Sequence, residues 1–260
     1  MATAIVTGGA GAIGRACAAA LVEDGWRVVL ADIDGAEAEK VASDIGAGVV
    51  AAYGLDVTDF AAVHDIAARA QARHGPITGL VTAAGGGRNI ALTNGPFIET
   101  TPDEWDRNIE VHLNAVYNTC HAVLPLLFEA GKGAIVNTAS GAGLRGGPPH
   151  LRQRHASVYS ACKAGVIALT QAISQEAGPK GVRANCIAPG RTETRAKPIE
   201  EMERMQREEE ALKPGSGRAS PLGRFGRGRD MGDAAAFLMS DRAGYITGAC
   251  LDVTGGIRLH

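Results

Sequence analysis

Short apolar runs recur along the 260-residue chain, each ending in small or polar residues and leading into a segment with apolar positions at helical spacing. Ala4-Ile5-Val6 meets the loop Thr7-Gly8-Gly9-Ala10-Gly11-Ala12-Ile13-Gly14, followed by the helical pattern Ala16 to Val22. Arg27 to Asp32 predicts a second strand, Val49 to Tyr53 a third and Gly79 to Thr82 a fourth, with a helix from Phe60 to Arg73 that Asp59 would cap. Gly133 to Ser140 reads as a buried parallel strand ending in a hydroxyl, Arg183 to Gly190 as a sixth strand with its exit turn, and Gly248 to Val253 as the last. Strands alternate with helices, which predicts an α/β fold. No internal repeat is present, and Lys213 to Arg229 reads as a loop rather than a linker, so residues 1–260 are expected to form one domain.

Composition narrows the class. With 45% hydrophobic and 21% charged residues the chain can bury one large core, and 35 glycines against 4% aromatics suit close backbone approach to a ligand. A net charge of -2 argues against a general nucleic-acid binder. Cys17, Cys120, Cys162, Cys186 and Cys250 are odd in number, widely spaced and without a Cys-x-x-Cys, which favours reduced thiols, a cytoplasmic location and no metal site. The first strand begins by Thr3, and no uncharged apolar run reaches the roughly 18 residues a membrane span needs, so neither a targeting segment nor a membrane partner is expected.

The chemistry concentrates at strand ends. Glycines at the first strand-to-helix junction let backbone amides and a helix N-terminus meet a pyrophosphate, although a plain turn would look similar. Asp32, 18 residues after Gly14, is placed to accept both ribose hydroxyls of an adenosine and to repel a 2′-phosphate, which selects NAD over NADP; its alternative is an N-cap for the next helix. Asp56 would meet the adenine edge, and the small residues Ala83 to Gly87 would let a nicotinamide ribose lie close. Tyr159 and Lys163 fall one turn apart on a helix continued by Val166, Ile167, Leu169 and Ile173. A fixed ammonium beside a phenol stabilises the phenolate, which suits proton transfer.

Together the Thr7 to Gly14 loop, Asp32, Asp56, Ala84-Gly85, Tyr159-x-x-x-Lys163 and Pro189-Gly190 resemble the short-chain dehydrogenase/reductase family over essentially the whole chain. The resemblance implies a single doubly wound, Rossmann-type domain with a seven-stranded parallel sheet flanked by helices. It implies NAD held by Gly8, Gly11, Ala12, Ile13, Gly14, Asp32, Asp56, Val57, Ala84, Gly85, Tyr159, Lys163, Pro189, Gly190, Thr192 and Thr194, with Ile187 and Thr194 contacting the nicotinamide amide. It makes Ser140, Tyr159 and Lys163 the catalytic set, Ser140 also orienting the substrate oxygen. It further implies a homo-oligomer, a tetramer or dimer.

Three positions depart from the family pattern. Ala12 replaces the usual second glycine, a methyl that helical backbone tolerates. Thr82-Ala83-Ala84-Gly85 lacks the two asparagines that usually precede the Ala-Gly, so their hydrogen bonds must be replaced. His112 occupies the place of the active-site Asn that helps hold a relay water behind the Lys. A ring nitrogen of His112 would serve the same end and bring a titration near neutrality; the alternative is a buried histidine with no catalytic part. Asn114, about 200° further round the helix, substitutes poorly unless the helix bulges.

Ala130 through Gln175 contains no Asp or Glu, while Lys132, Arg145, Arg152, Arg154 and Lys163 occur there, and Arg191, Arg195, Arg224, Arg227 and Arg229 follow. A cationic mouth and an anionic small-molecule substrate touching Arg145, Arg152 and Arg154 are expected; arginines serving solvent, neighbouring subunits or the cofactor would give the same pattern. Residues 191–222, including the polar segment Glu200 to Leu212, form a substrate lid or an ordinary solvated helix. The expected reaction moves a hydride between a secondary alcohol and NAD. An NADPH-dependent ketone reductase and a non-catalytic dinucleotide-binding regulator are the rival functions.

Overall fold

The computed structural model describes residues 2–86, 97–145, 155–193, 198–212 and 220–257. Strands β1 (Thr3–Thr7), β2 (Arg27–Asp32), β3 (Val49–Gly54), β4 (Ile77–Thr82), β5 (Gly133–Thr138), β6 (Val182–Pro189) and β7 (Cys250–Val253) join in one sheet of order β3-β2-β1-β4-β5-β6-β7. Every neighbouring pair is parallel, as the alternation with helices requires. β1 and β4 are buried along their whole length, which is why they read as unbroken apolar or small runs, whereas the edge strand β7 exposes Leu251 and Asp252.

The helices are α1 (Ala12–Glu23), α2 (Gly35–Ile45), α3 (Phe60–His74), α4 (Pro102–Ile109), α5 (Ala115–Ala130), α6 (Gly141–Arg145), α7 (His155–Ala177), α8 (Ile199–Leu212) and α9 (Gly228–Met239). Cys17, Leu21, Val41, Met231 and Leu238 from α1, α2 and α9 pack on one face of the sheet. Val63, Ile66, Val116, Val123, Val166 and Ile173 from α3, α5 and α7 pack on the other. α9 approaches α1 closely because Gly232 has no side chain: a Cβ there would stand 2.5 Å from the Ala16 carbonyl oxygen.

Local details follow from the sequence. Asp59 caps α3, its carboxylate accepting from Ala62 N at 2.9 Å. α1 starts at Ala12 rather than Ala16, so Ala12-Ile13-Gly14 is its first turn and the Ala12 methyl sits in helical backbone. β4 begins two residues before the expected Gly79, and β7 two residues after Gly248, whose φ of +72° takes it out of strand geometry. Between α4 and α5, residues Glu110–Asn114 form a π turn, so the expected helix bulges. No helix among the described residues is long and apolar enough to cross a membrane.

Candidate active site

The order of the strands reverses between β1 and β4, and this opens a crevice at their carboxyl ends. The glycine loop after β1 lines it. Gly8, at φ +67°, presses on the β4 exit: a Cβ on it would lie 2.5 Å from Ala84 N. Gly11 precedes α1 without any side-chain cap, so the first amides of α1 remain available to an anion. Asp32 ends β2 beside this loop, its Oδ2 accepting from Ala10 N and its Oδ1 from Asp34 N, both at 3.0 Å. The cap of α2 is Asp34, which accepts from Glu37 N, so the N-cap reading of Asp32 falls away. Asp56 is exposed beyond β3 and accepts from Thr58 N and Oγ1 at 2.9 and 2.7 Å. Val57 follows it, its carbonyl held by Asn118 Nδ2 at 3.1 Å.

Ser140 stands two residues past β5, fixed by the bond from Ala139 N to Ile187 O at 2.8 Å. Its Oγ accepts from Ala142 N at 3.2 Å, a capping role, and is close enough to the Tyr159 phenol to pull its pKa down. On α7, Val158, Cys162 and Val166 turn into the core. That places Tyr159 and Lys163 one turn apart at the crevice. Lys163 is buried and donates to Thr138 O at 2.8 Å, its Nζ lying 5.9 Å from the centre of the Tyr159 ring. The close seat of α6 on α7 depends on Gly143, where a Cβ would approach the Lys163 carbonyl carbon to 2.6 Å.

Burial pushes the Tyr159 phenol above its ordinary value, with Ser140 pulling part of the way back. Burial takes Lys163 down to about 8. The phenol is therefore governed here by desolvation rather than by the lowering expected from Lys163.

His112 lies in the π turn, 4% exposed, with its ring edge-on to Tyr159 at 4.9 Å between centroids. Its Nδ1 is buried without a hydrogen-bond partner and faces Gly85. Burial, then the Lys163 charge, lowers its pKa to about 3, which removes the expected titration near neutrality. The bulge does not recruit Asn114, whose Nδ2 donates to Glu110 Oε2 at 2.6 Å. The asparagines missing from the β4 exit are replaced by a buried chain that sequence reasoning passed over: Thr82 Oγ1 donates to Asn137 Oδ1 at 2.9 Å, and Asn137 Nδ2 to Thr170 Oγ1 at 3.0 Å.

Residues 8–258 match the family profile described as enoyl-(acyl carrier protein) reductase. The chain is 33% identical to the 3-oxoacyl-(acyl-carrier-protein) reductase of Chlamydia trachomatis, over 98% of this chain and 96% of that one. It is 34% identical to a 2-dehydro-3-deoxy-L-rhamnonate dehydrogenase (NAD(+)) of a Sphingomonas strain, over 97% and 94%. A solved 3-ketoacyl-(acyl-carrier-protein) reductase from Brucella melitensis complexed with NADH superposes with a TM-score of 0.81 at 28% identity, covering 98% of this chain and 97% of that one. The chain belongs to the short-chain dehydrogenase/reductase family.

Members of this family are oxidoreductases that bind a nicotinamide dinucleotide. The residues present fit such a group: the Gly8 cradle, the uncapped start of α1 and the carboxylate at the end of β2 match its phosphate and ribose chemistry. The hydroxyls of Thr7 and Thr138 at the same strand ends are buried without a partner. After β6, Gly190 and Thr192 border a cavity of about 120 Å³ with Arg191, Phe225 and Thr254, and Thr192 bridges to Gly226. Pro189 ends β6, paired with Val253.

The expected cationic mouth is smaller than the sequence suggests. Lys132 precedes β5 and so lies at the opposite end of the sheet from Ser140. Arg224 makes two 2.7 Å bonds to Asp230, and Arg229 pairs with Glu23 and Asp233, so their charges are matched. Arg191 stacks over Phe225 at 4.9 Å, on the rim of the cavity. Arg152, Arg154, Thr194 and Arg195 lie outside the described residues, as does the side chain of Arg145 at the end of α6.

Proposed function

We propose that this short-chain dehydrogenase/reductase oxidises a secondary alcohol to a ketone with NAD. The convergence of Ser140, Tyr159 and the buried Lys163, whose Nζ lies 5.9 Å from the Tyr159 ring, at the carboxyl ends of the strands supports the reading. When bound, NAD supplies the hydride acceptor. Ser140 orients the substrate oxygen, Tyr159 takes the hydroxyl proton, and Lys163, anchored on Thr138 O, supplies positive charge behind the phenol. His112 borders Tyr159 as a neutral imidazole and acts as a positioning residue.

Asp32 supports NAD over NADP, because a carboxylate fixed by Ala10 N and Asp34 N suits ribose hydroxyls and opposes a 2′-phosphate. The Sphingomonas relative carries NAD in its name and acts on a sugar acid. This favours an acidic substrate here too, with Arg191 at the rim and Arg145, Arg152 and Arg154 as its partners. α8 follows Gly190 and Thr192 in the chain and would form part of a substrate lid made of residues 191–222. The single domain spans residues 1–260, and family analogy makes it a cytoplasmic homo-oligomer.

The test is an assay for NADH formation across secondary alcohols with and without carboxylates. NADH from a carboxylate-bearing alcohol supports the full reading. Turnover only with NADPH and ketones favours the reductase alternative, and NAD binding without any turnover favours a non-catalytic regulator.

A further inference from the structure

Two of the five cysteines are register partners across the last two strands of the sheet, Cys186 on β6 and Cys250 on β7. Register partners on neighbouring strands point to the same face, and Cys250 packs against the same apolar cluster that contains Cys186. Adjacent strands run about 4.8 Å apart, inside the roughly 4.4–6.8 Å between Cα atoms that a disulfide spans. Cys17, Cys120 and Cys162 are buried elsewhere: Cys17 faces the other side of the sheet, and Cys120 bonds Asn137 at 3.5 Å.

We propose that Cys186 and Cys250 form a peroxide-sensitive dithiol, a site of reversible oxidative modification in which the two strands become cross-linked. The two sulfurs divide the work. Cys250 is half-buried on the edge strand, whereas Cys186 is 1% exposed. The neighbouring Cys250 thiol and burial keep the Cys186 proton on, and Cys186 in turn favours the thiolate at Cys250. The Cys250 thiolate attacks one peroxide oxygen, an S–O bond forms as the O–O bond breaks, and hydroxide leaves to become water. Cys186 then attacks the resulting sulfenic sulfur, forming the S–S bond and releasing a second water. Two thiols are oxidised and one peroxide is reduced. The link closes residues 187–249, which include all of α8, into a covalent loop.

The test treats the purified full chain with hydrogen peroxide, counts thiols after unfolding and maps peptides without reduction. The expected result is a fall from five thiols to three, a single Cys186–Cys250 linked peptide pair and full recovery with dithiothreitol. Cys120→Ser should leave the link intact, and Cys250→Ser should abolish it. Five surviving thiols, loss of thiols as irreversible acids without a link, or a link through Cys120 or Cys162 would each overturn the proposal. None of these readouts depends on turnover, so they stand apart from the test of the dehydrogenase reading.

Discussion

His112 Nδ1 and Gly85 are in direct opposition: a Cβ built on Gly85 would stand 3.3 Å from that nitrogen. The π turn that carries His112 and the loop that follows β4 therefore share one space beside Tyr159. An imidazole in that space needs glycine opposite it, and the two positions should respond to mutation as a unit.

Gly85→Ala should lower kcat/KM, partly through the φ of +154° at that position and partly through contact with the imidazole. His112→Asn shortens the side chain and should recover the second part only. A double-mutant cycle on kcat/KM is expected to show a coupling of about 0.5–1 kcal/mol, and additivity would separate the two residues.

His112 also sets a pH dependence of stability. Its pKa in the fold is about 3 against 6.5 for the free side chain, so between these values the unfolded chain binds a proton that the folded one does not. Stability from this group is complete above about 6.5 and falls as pH drops toward 3. Thermal unfolding of His112→Asn and wild type should show their melting temperatures converging, or crossing, between neutral pH and the acid range. The pH–rate profile between pH 5 and 8 should carry no His112 inflection.

The chain Thr82–Asn137–Thr170 ties β4 and β5 to α7 beneath the site. Asn137→Ala leaves the Thr82 hydroxyl to find a new acceptor in a buried setting and removes the donor to Thr170, whose own hydroxyl keeps its bond to Val166 O. Denaturant unfolding should register a loss of about 1–3 kcal/mol. Thr82→Val, which removes one donor only, should cost less.

Asp32→Ala should weaken NAD binding and strengthen NADP binding, measured side by side by calorimetry. Its carboxylate also holds the glycine loop through Ala10 N, so part of the loss falls on both cofactors alike. The selectivity ratio, rather than either affinity, reads out the charge.

Much of this architecture is legible in the residues because buried parallel strands such as Thr3–Thr7 and Ile77–Thr82 must be apolar or small throughout, and glycine must stand where backbones meet at Gly8 and Ala84. The Tyr159 and Lys163 pair is legible by helical spacing, and Ser140 by the family resemblance. What the sequence hides depends on three-dimensional surroundings. The neutrality of His112 comes from burial and from Lys163, the raised phenol from desolvation, and the pairing of Arg224 and Arg229 from the partners Asp230, Glu23 and Asp233. The π turn at Glu110–Asn114 has no residue signature such as proline or glycine to announce it.

The central claim is that Tyr159 moves the proton of a secondary alcohol, and the most direct measurement is NADH formation by wild type and Tyr159→Phe, with NAD affinity measured in parallel. The account predicts turnover by the wild type, a loss of about 10²–10⁴ in kcat for Tyr159→Phe, and retained NAD binding. Turnover of Tyr159→Phe at the wild-type rate, or NAD binding with no NADH from any alcohol, would contradict it.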